Sequence, residues 1–231
     1  LTRRMPDTLR RADAVVTVSR FTADELAEQT GTPREKIVPI HSGFGLRTPP
    51  ADPDAAAGLR RAYRLDRPWI LGVGTIEPRK NWTLIADLME RADSFDGLAV
   101  IAGGRGWKDD PILDRLRSSA AADRIRVLTD VGDRELAALY EGASAFVFPS
   151  LYEGFGFPPL EAMARGVPVL SSTGGSLPEV LGDAALFADP REPDAWIDAL
   201  PKILGDSALR DDLVRQGRER AASYSWDRTA R

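Results

Sequence analysis

The chain has 231 residues, 43% of them hydrophobic and 29% charged, with 31 Lys+Arg against 35 Asp+Glu and a formal net charge of −4. This composition is that of a globular protein; it excludes collagen-like, disordered and coiled-coil chains and gives no electrostatic ground for a general nucleic-acid binder. Cysteine is absent and His41 is the only histidine, which removes disulfides and thiolate chemistry and argues against His-based zinc sites and a Ser–His–Asp triad.

The chemistry must therefore use carboxylates, Arg and Lys, hydroxyls and backbone amides. A basic stretch at residues 1–11 opens the chain with no apolar signal segment, and no apolar run reaches the roughly 18 residues of a membrane span. A cytoplasmic protein is expected. Strands are expected at 14–18, 36–40, 69–73, 98–102, 125–128, 145–148, 167–170 and 185–187. Helical periodicity falls at 23–29, 81–91, 112–121, 133–140, 159–165, 193–204 and 207–222. Nearly continuous apolar strands alternating with helices indicate a doubly wound parallel sheet, an α/β fold. The Pro- and Asp-rich stretch 48–54 reads as a surface connection and hinge. The chain opens on Leu1 and stops at Arg231 inside a helical pattern, so it reads as part of a longer protein. His41 is read as a loop histidine with a local hydrogen bond. Asp109-Asp110 and Asp211-Asp212 are read as solvated helix-end charges, and Trp82, Trp107, Trp196 and Trp226 as core or domain-packing residues.

In such sheets ligands bind at the carboxyl ends of the strands, and three loops there carry unusual chemistry. The first, Gly74-Thr75-Ile76-Glu77-Pro78-Arg79-Lys80-Asn81, puts two adjacent cations before a helix that Asn81 can cap. It is either a phosphate site or a solvated turn. The second, Ala102-Gly103-Gly104-Arg105-Gly106-Trp107, lacks G-x-G-x-x-G and is read as a structural turn. The third runs Phe148-Pro149-Ser150-Leu151-Tyr152-Glu153-Gly154-Phe155-Gly156-Phe157-Pro158-Pro159-Leu160-Glu161. Its glycines and prolines lead into a helix start with free backbone N–H groups, which suits an anion or a hydroxyl-rich ligand. A carboxylate accepts from vicinal hydroxyls, so Glu153 and Glu161 are candidate sugar or ribose contacts. Each alone also reads as an ordinary loop or helix-dipole charge.

Glu153-Gly-Phe-Gly-Phe-Pro-Pro-Leu-Glu161 resembles the signature of retaining glycosyltransferases with the GT-B fold, particularly family 4. The likeness extends to Ala12–Ser19 as that family's interdomain strand, and to Gly74–Asn81 as its donor-phosphate loop. It also takes in 166–172, Leu177-Pro178-Glu179-Val180 and Tyr224-Ser225-Trp226. It covers essentially the whole chain, but only the nucleotide-sugar half of such an enzyme: the C-terminal Rossmann-like half of a GT-B fold. Residues 1–47 would be the end of an N-terminal domain and the link, and 48–231 the donor-binding domain.

The resemblance implies that Arg79 and Lys80 hold the donor diphosphate beside Gly74, and that Glu161 holds the ribose. Glu153 would contact the transferred sugar near the reacting carbon, with Gly154, Phe155 and Gly156 supplying backbone N–H groups. One departure is Thr75, where many members carry Arg. The Glu-Pro-Arg-Lys-Asn loop is similar to mannosyl- and rhamnosyl-transferring members. The implied donor is a GDP- or UDP-sugar. The implied acceptor is a glycan or lipid-linked saccharide held by an N-terminal domain absent here, with peripheral membrane association of the full-length enzyme. No cofactor or metal is implied, because no Asp/His cluster has ligand spacing, and no nucleic-acid partner is expected. This segment alone is expected to bind donor without transferring it. Two alternatives stand beside this reading: a nucleotide-sugar-binding module without turnover, and a GT-B epimerase or phosphorylase, the latter lacking a lysine in a pyridoxal-holding context.

Overall fold

The chain's architecture follows from strands too apolar to face water on either side. A computed structural model describes residues 5–46, 50–92 and 94–231. The first part holds α1 (Met5–Arg11), β1 (Val15–Thr17), α2 (Arg20–Thr30) and β2 (Ile37–Pro39). β1 and β2 pair in parallel as a sheet of their own. α2 begins where the Ser19 hydroxyl accepts from the Thr22 N–H and ends at Gly31 in the left-handed conformation.

The second part runs α3 (Pro53–Ala62), β3 (Trp69–Val73), α4 (Thr83–Arg91), β4 (Leu98–Ala102), α5 (Asp110–Arg117) and β5 (Ile125–Leu128). It continues with α6 (Asp133–Gly142), β6 (Ala145–Phe148), α7 (Phe157–Ala164), β7 (Val169–Ser172), α8 (Leu177–Leu181) and β8 (Leu186–Ala188). α9 (Pro193–Gly205), α10 (Ser207–Ala222) and α11 (Trp226–Thr229) close it. The strands form one parallel sheet in the order β5-β4-β3-β6-β7-β8. Every residue of β4 and β6 is buried, which requires cover on both faces. The expected doubly wound α/β fold is present.

The order of the sheet positions the site. The chain moves outward from β3 to β5, then returns to the other side of β3 with β6. The carboxyl ends of β3 and β6 therefore flank the switch point, where the helices on the two sides diverge and leave a crevice.

Several local expectations are corrected. Within the 48–54 stretch, residues 48 and 49 lie outside the described residues; Asp52 accepts from the Asp54 N–H, and Pro53 opens α3, since a fixed φ suits the first helical position. β7 starts after Pro168 and runs through two fully buried serines. An apolar pattern misses them because their polarity is satisfied internally: Ser172 Oγ donates to Ser150 O and Ser171 Oγ to Ser172 O. Asn81 caps no helix; it sits in the left-handed region at the end of the Pro78–Lys80 3₁₀ turn and donates to Pro190 O. Trp82 and Trp196 are core residues whose indole N–H groups reach Thr75 O and Asp189 O. Trp107 is exposed instead, at 57%, in the loop beyond β4 with its ring under Lys108; Trp226 is 59% exposed and not a core residue, its ring lying against Gly43. Asp109 is buried and paired with Arg105, whereas Asp212 is solvated and pairs with Arg215.

The two sheets are tied by Glu179 of α8. Its carboxylate accepts from the N–H groups of Arg20 and Phe21, both at 2.9 Å, and lies 2.6 Å from His41 Nε2. It is thus a second cap on the start of α2, delivered from the other sheet. Burial opposes its charge, but the His41 and backbone hydrogen bonds outweigh it and lower its pKa. The partner of His41 is 138 residues away, so the expected local hydrogen bond is corrected. Tyr152, after β6, adds a second tie: its hydroxyl donates to Glu25 of α2 and its ring meets Phe21 edge-on at 5.7 Å. Burial, then Glu25, pushes the Tyr152 pKa up to about 12.

Candidate active site

β3 ends at Val73, and Gly74 turns the chain at φ 153 with its N–H on Ala102 O. A Cβ on Gly74 would stand 3.2 Å from Lys80 Cε, so the bare backbone lets the lysine stem lie along it. Ile76 is fully buried and anchors the loop from below. The short 3₁₀ turn then presents Arg79 and Lys80 to the crevice. On the neighbouring strand, β6 ends at Phe148 and the chain passes Ser150 to Glu153. Leu151 N–H donates to Arg79 O at 2.8 Å, which locks the two loops side by side.

Three charged groups meet at this point. Lys80 Nζ lies 2.6 Å from Glu153 Oε1, and Arg79 Nη1 lies 2.8 Å from Glu153 Oε2. The Ser150 hydroxyl donates to Glu153 Oε1 at 2.8 Å, Arg79 also donates to Tyr152 O, and Glu77 holds its other nitrogen at 2.6 Å. Lys80 and Glu153 are buried, at 7% and 8% exposure, and the ammonium sits 4.8 Å from the Phe148 ring centroid. Burial works against the Arg79 charge, but Glu153 and Glu77 prevail and raise its pKa. The result is a pair of oriented cations bridged by the Glu153 carboxylate, with Glu77 as a second carboxylate on Arg79. An incoming dianion would have to share them with Glu153.

Glu153 is itself held by its main chain. Its carbonyl accepts from Ser176 N–H and Oγ at 2.9 and 3.0 Å. Gly175 lies against it with φ 67, and a Cβ there would fall 2.3 Å from that carbonyl oxygen. Gly154 faces Thr22 and Val18 beside α2. Phe155 is buried between His41, Phe157 and Tyr224, and Gly156 takes φ 112 just before α7. Among the described residues nothing accepts from the N–H groups of Gly154, Phe155 or Gly156.

Glu161 lies apart from this cluster. It projects from α7 into a cavity of about 340 Å³ lined by Gly43, Phe44, Gly45, Phe157 and Trp226. The Tyr140 hydroxyl donates to Glu161 Oε2 at 2.9 Å; burial, then the Glu161 charge, raises the Tyr140 pKa well above its ordinary value. The structure thus brings Arg79, Lys80 and Glu153 together beside Gly74 and the Gly154–Gly156 loop, with Glu161 in a neighbouring cavity. Sequence reasoning missed Glu77, Ser150, Tyr140 and Glu179. Glu179 and Tyr140 act on partners distant in sequence and Ser150 through a single hydroxyl, which leave no pattern in a chain, while Glu77 acts on Arg79 two residues away and reads as an ordinary loop charge. In the Gly103-Gly104 turn the neighbouring loop leaves no room for a side chain at Gly103, where a Cβ would lie 2.1 Å from Gly74 O.

The family described as "Glycosyl transferases group 1" matches residues 60–220. The chain belongs to the group 1 glycosyl transferases. An O-antigen chain mannosyltransferase B from Escherichia coli is 34% identical over 225 residues, 96% of this chain and 59% of that protein. Sucrose-phosphate synthase from Thermosynechococcus elongatus superposes with a TM-score of 0.81 at 27% identity, covering 98% of this chain and 58% of that one. HepE from Anabaena in complex with UDP-glucose superposes with a TM-score of 0.81 at 18% identity, covering 95% and 64%, and shares the GT-B fold. The chain spans a little over half the length of the mannosyltransferase it resembles. Among the described residues, no helix of this glycosyl transferase chain is long and apolar enough to cross a membrane.

Proposed function

We propose that this chain is the donor-holding part of a retaining glycosyltransferase that moves a sugar, mannose in our reading, from a nucleoside diphosphate onto a glycan or lipid-linked acceptor. The observation that carries the reading is the meeting of Arg79, Lys80 and Glu153 at the switch point between β3 and β6. When the anomeric C–O bond of the donor breaks, negative charge develops on the departing diphosphate. Arg79, partly solvated, and Lys80, buried, stand pre-oriented to receive it. Glu153, displaced from full pairing by the diphosphate, is left facing the sugar, whose reacting carbon becomes cationic. Glu161, with Tyr140 fixing one of its oxygens, accepts from the ribose hydroxyls. The mannosyltransferase relative supports mannose as the sugar, and the UDP-glucose bound to HepE supports a nucleotide sugar as the donor. The acceptor would come from an N-terminal domain across the crevice, in an enzyme working from the cytoplasmic side and resting on the membrane surface.

A thermal-shift panel of GDP-, UDP-, dTDP- and ADP-sugars tests the reading. A donor at 100 times its Kd adds about 2.7 kcal/mol, which raises Tm by roughly 5–11 °C for a chain of this size. GDP-mannose is expected to give the largest shift. A flat response to the whole panel would sink the proposal.

A further inference from the structure

A cavity of about 400 Å³ opens between the β2-to-linker strand end, the start of α2 and the α10–α11 turn. That volume falls within the roughly 300–1,000 Å³ of small-molecule sites, and none of its lining residues belongs to the Arg79–Lys80–Glu153 cluster or to the Glu161 cavity. Three arginines line it, Arg20, Arg220 and Arg228, together with His41. In a chain of net charge −4 this is a concentrated positive surface.

Two of these arginines, Arg220 and Arg228, are held by backbone carbonyls and not by carboxylates. Arg105, Arg115 and Arg215 meet carboxylates that cancel their charge. Arg220 instead donates from Nε and Nη2 to the carbonyls of Val180 and Glu179, and Arg228 from Nη1 to the carbonyl of Ser223. A carbonyl orients a guanidinium without neutralising it. The carboxylate facing the group is Glu179, 3.5 Å from Arg20 Nε and already bonded to His41 and two backbone N–H groups. Arg220 and Arg228 thus have no carboxylate partner among the described residues, and Arg20 has only Glu179. Two hydroxyls complete the lining as donors: Ser42 has no partner among the described residues, and Ser225 Oγ only accepts, from Arg228 N–H. One guanidinium held at two nitrogens, Arg220, with Arg228 and Arg20 beside it and hydroxyls free to donate, matches the tetrahedral oxygens of a phosphate group.

We propose that this cavity is a second anion site, taking the phosphate group of a phosphorylated ligand, independent of the donor diphosphate. The ligand is either a free phosphorylated small molecule or a phospholipid headgroup.

Calorimetry with pyrophosphate and the parent chain is expected to give two sites. Arg20→Gln/Arg228→Gln, whose side chains carry no core contact, is expected to leave one site and weaken the other about tenfold or more, because charge-assisted hydrogen bonds are lost. Lys80→Ala is expected to remove the complementary site, so that the two variants together account for both. Co-sedimentation with phosphatidylcholine vesicles with and without phosphatidic acid separates the sources: acid-dependent binding that is lost in the double variant assigns a headgroup, and pyrophosphate binding without it assigns a free ligand. A single pyrophosphate site in the parent with no vesicle binding overturns the proposal. So does binding of both probes that Arg20→Gln/Arg228→Gln leaves unchanged.

Discussion

Glu153→Gln isolates the charge at the centre of the crevice. Glutamine keeps the shape and one acceptor oxygen for Ser150 but removes the negative charge that lies 2.6 Å from Lys80 and 2.8 Å from Arg79. Lys80, its side chain 9% exposed, then holds a buried ammonium without its counter-charge. Removing one partner of a buried pair costs about 3–5 kcal/mol. The low end applies, near 3 kcal/mol, because Arg79 is partly solvated and keeps Glu77, and the Phe148 ring still faces the ammonium. For a chain of this length that lowers Tm by roughly 6–12 °C. Pyrophosphate or a nucleoside diphosphate then supplies the missing charge. The variant should therefore gain more from added pyrophosphate than the parent does, while in a full-length enzyme kcat falls and donor affinity does not. Differential scanning fluorimetry at low salt, with and without pyrophosphate, reads both effects. An unchanged Tm, or equal pyrophosphate-induced shifts in parent and variant, would refute the claim that Glu153 pairs in the resting protein with the two cations proposed to bind phosphate.

Glu161→Ala should weaken nucleoside diphosphate binding and leave pyrophosphate binding intact; Tyr140→Phe should do the same more mildly, at about 1 kcal/mol of stability for the lost hydrogen bond, with calorimetry comparing the two ligands. Glu179→Ala should destabilise the chain by about 2–4 kcal/mol in urea titrations, from the loss of a charged cap on two N–H groups and of the His41 bond. Because folding lowers the Glu179 pKa, its contribution is complete above the ordinary carboxyl value of 4.5 and is lost as pH falls through the lowered folded value; Glu179→Gln should flatten that acid limb of the stability profile. Gly103→Ala forces a methyl to within 2.1 Å of the Gly74 carbonyl and should cost about 3 kcal/mol or more, measured by Tm, whereas Gly104→Ala, whose Cβ meets nothing within 4 Å, should be near neutral.

The strands were legible because β3, β4 and β6 are uninterrupted apolar runs, and the alternation with helices dictates their parallel pairing. The Glu153–Glu161 motif was legible because glycine and proline fix its backbone locally. What escaped depended on partners far along the chain. Ser171 and Ser172 read as loop because a hydroxyl looks polar until its acceptor, Ser150 O, is brought beside it. Asn81 has the composition of a cap, but the left-handed end of the preceding 3₁₀ turn takes it first. α3 was hidden by the Pro and Asp residues at its start, which are turn formers and helix starters alike. Within the site, the residue types were readable, but the pairing of Arg79 and Lys80 with Glu153 was not, since nothing in spacing alone says that loops 73 residues apart meet.

The reach of Glu179 across to α2 bears on what happens when the backbone is cut. Suppose a protease nicks the chain near residue 48. The two pieces remain fastened by the Glu179 bonds to Arg20, Phe21 and His41, by Tyr152 on Glu25, and by Thr229 Oγ1 on His41 O. Nicked protein would therefore elute as one particle and separate only under denaturant or acid. A shorter chain starting at Pro50 would keep all six strands of the large sheet. It would also bare the Glu179 carboxylate and the Tyr152 ring beside the 150–157 loop, so the surroundings of that loop in the intact chain are built from residues on both sides of the cut.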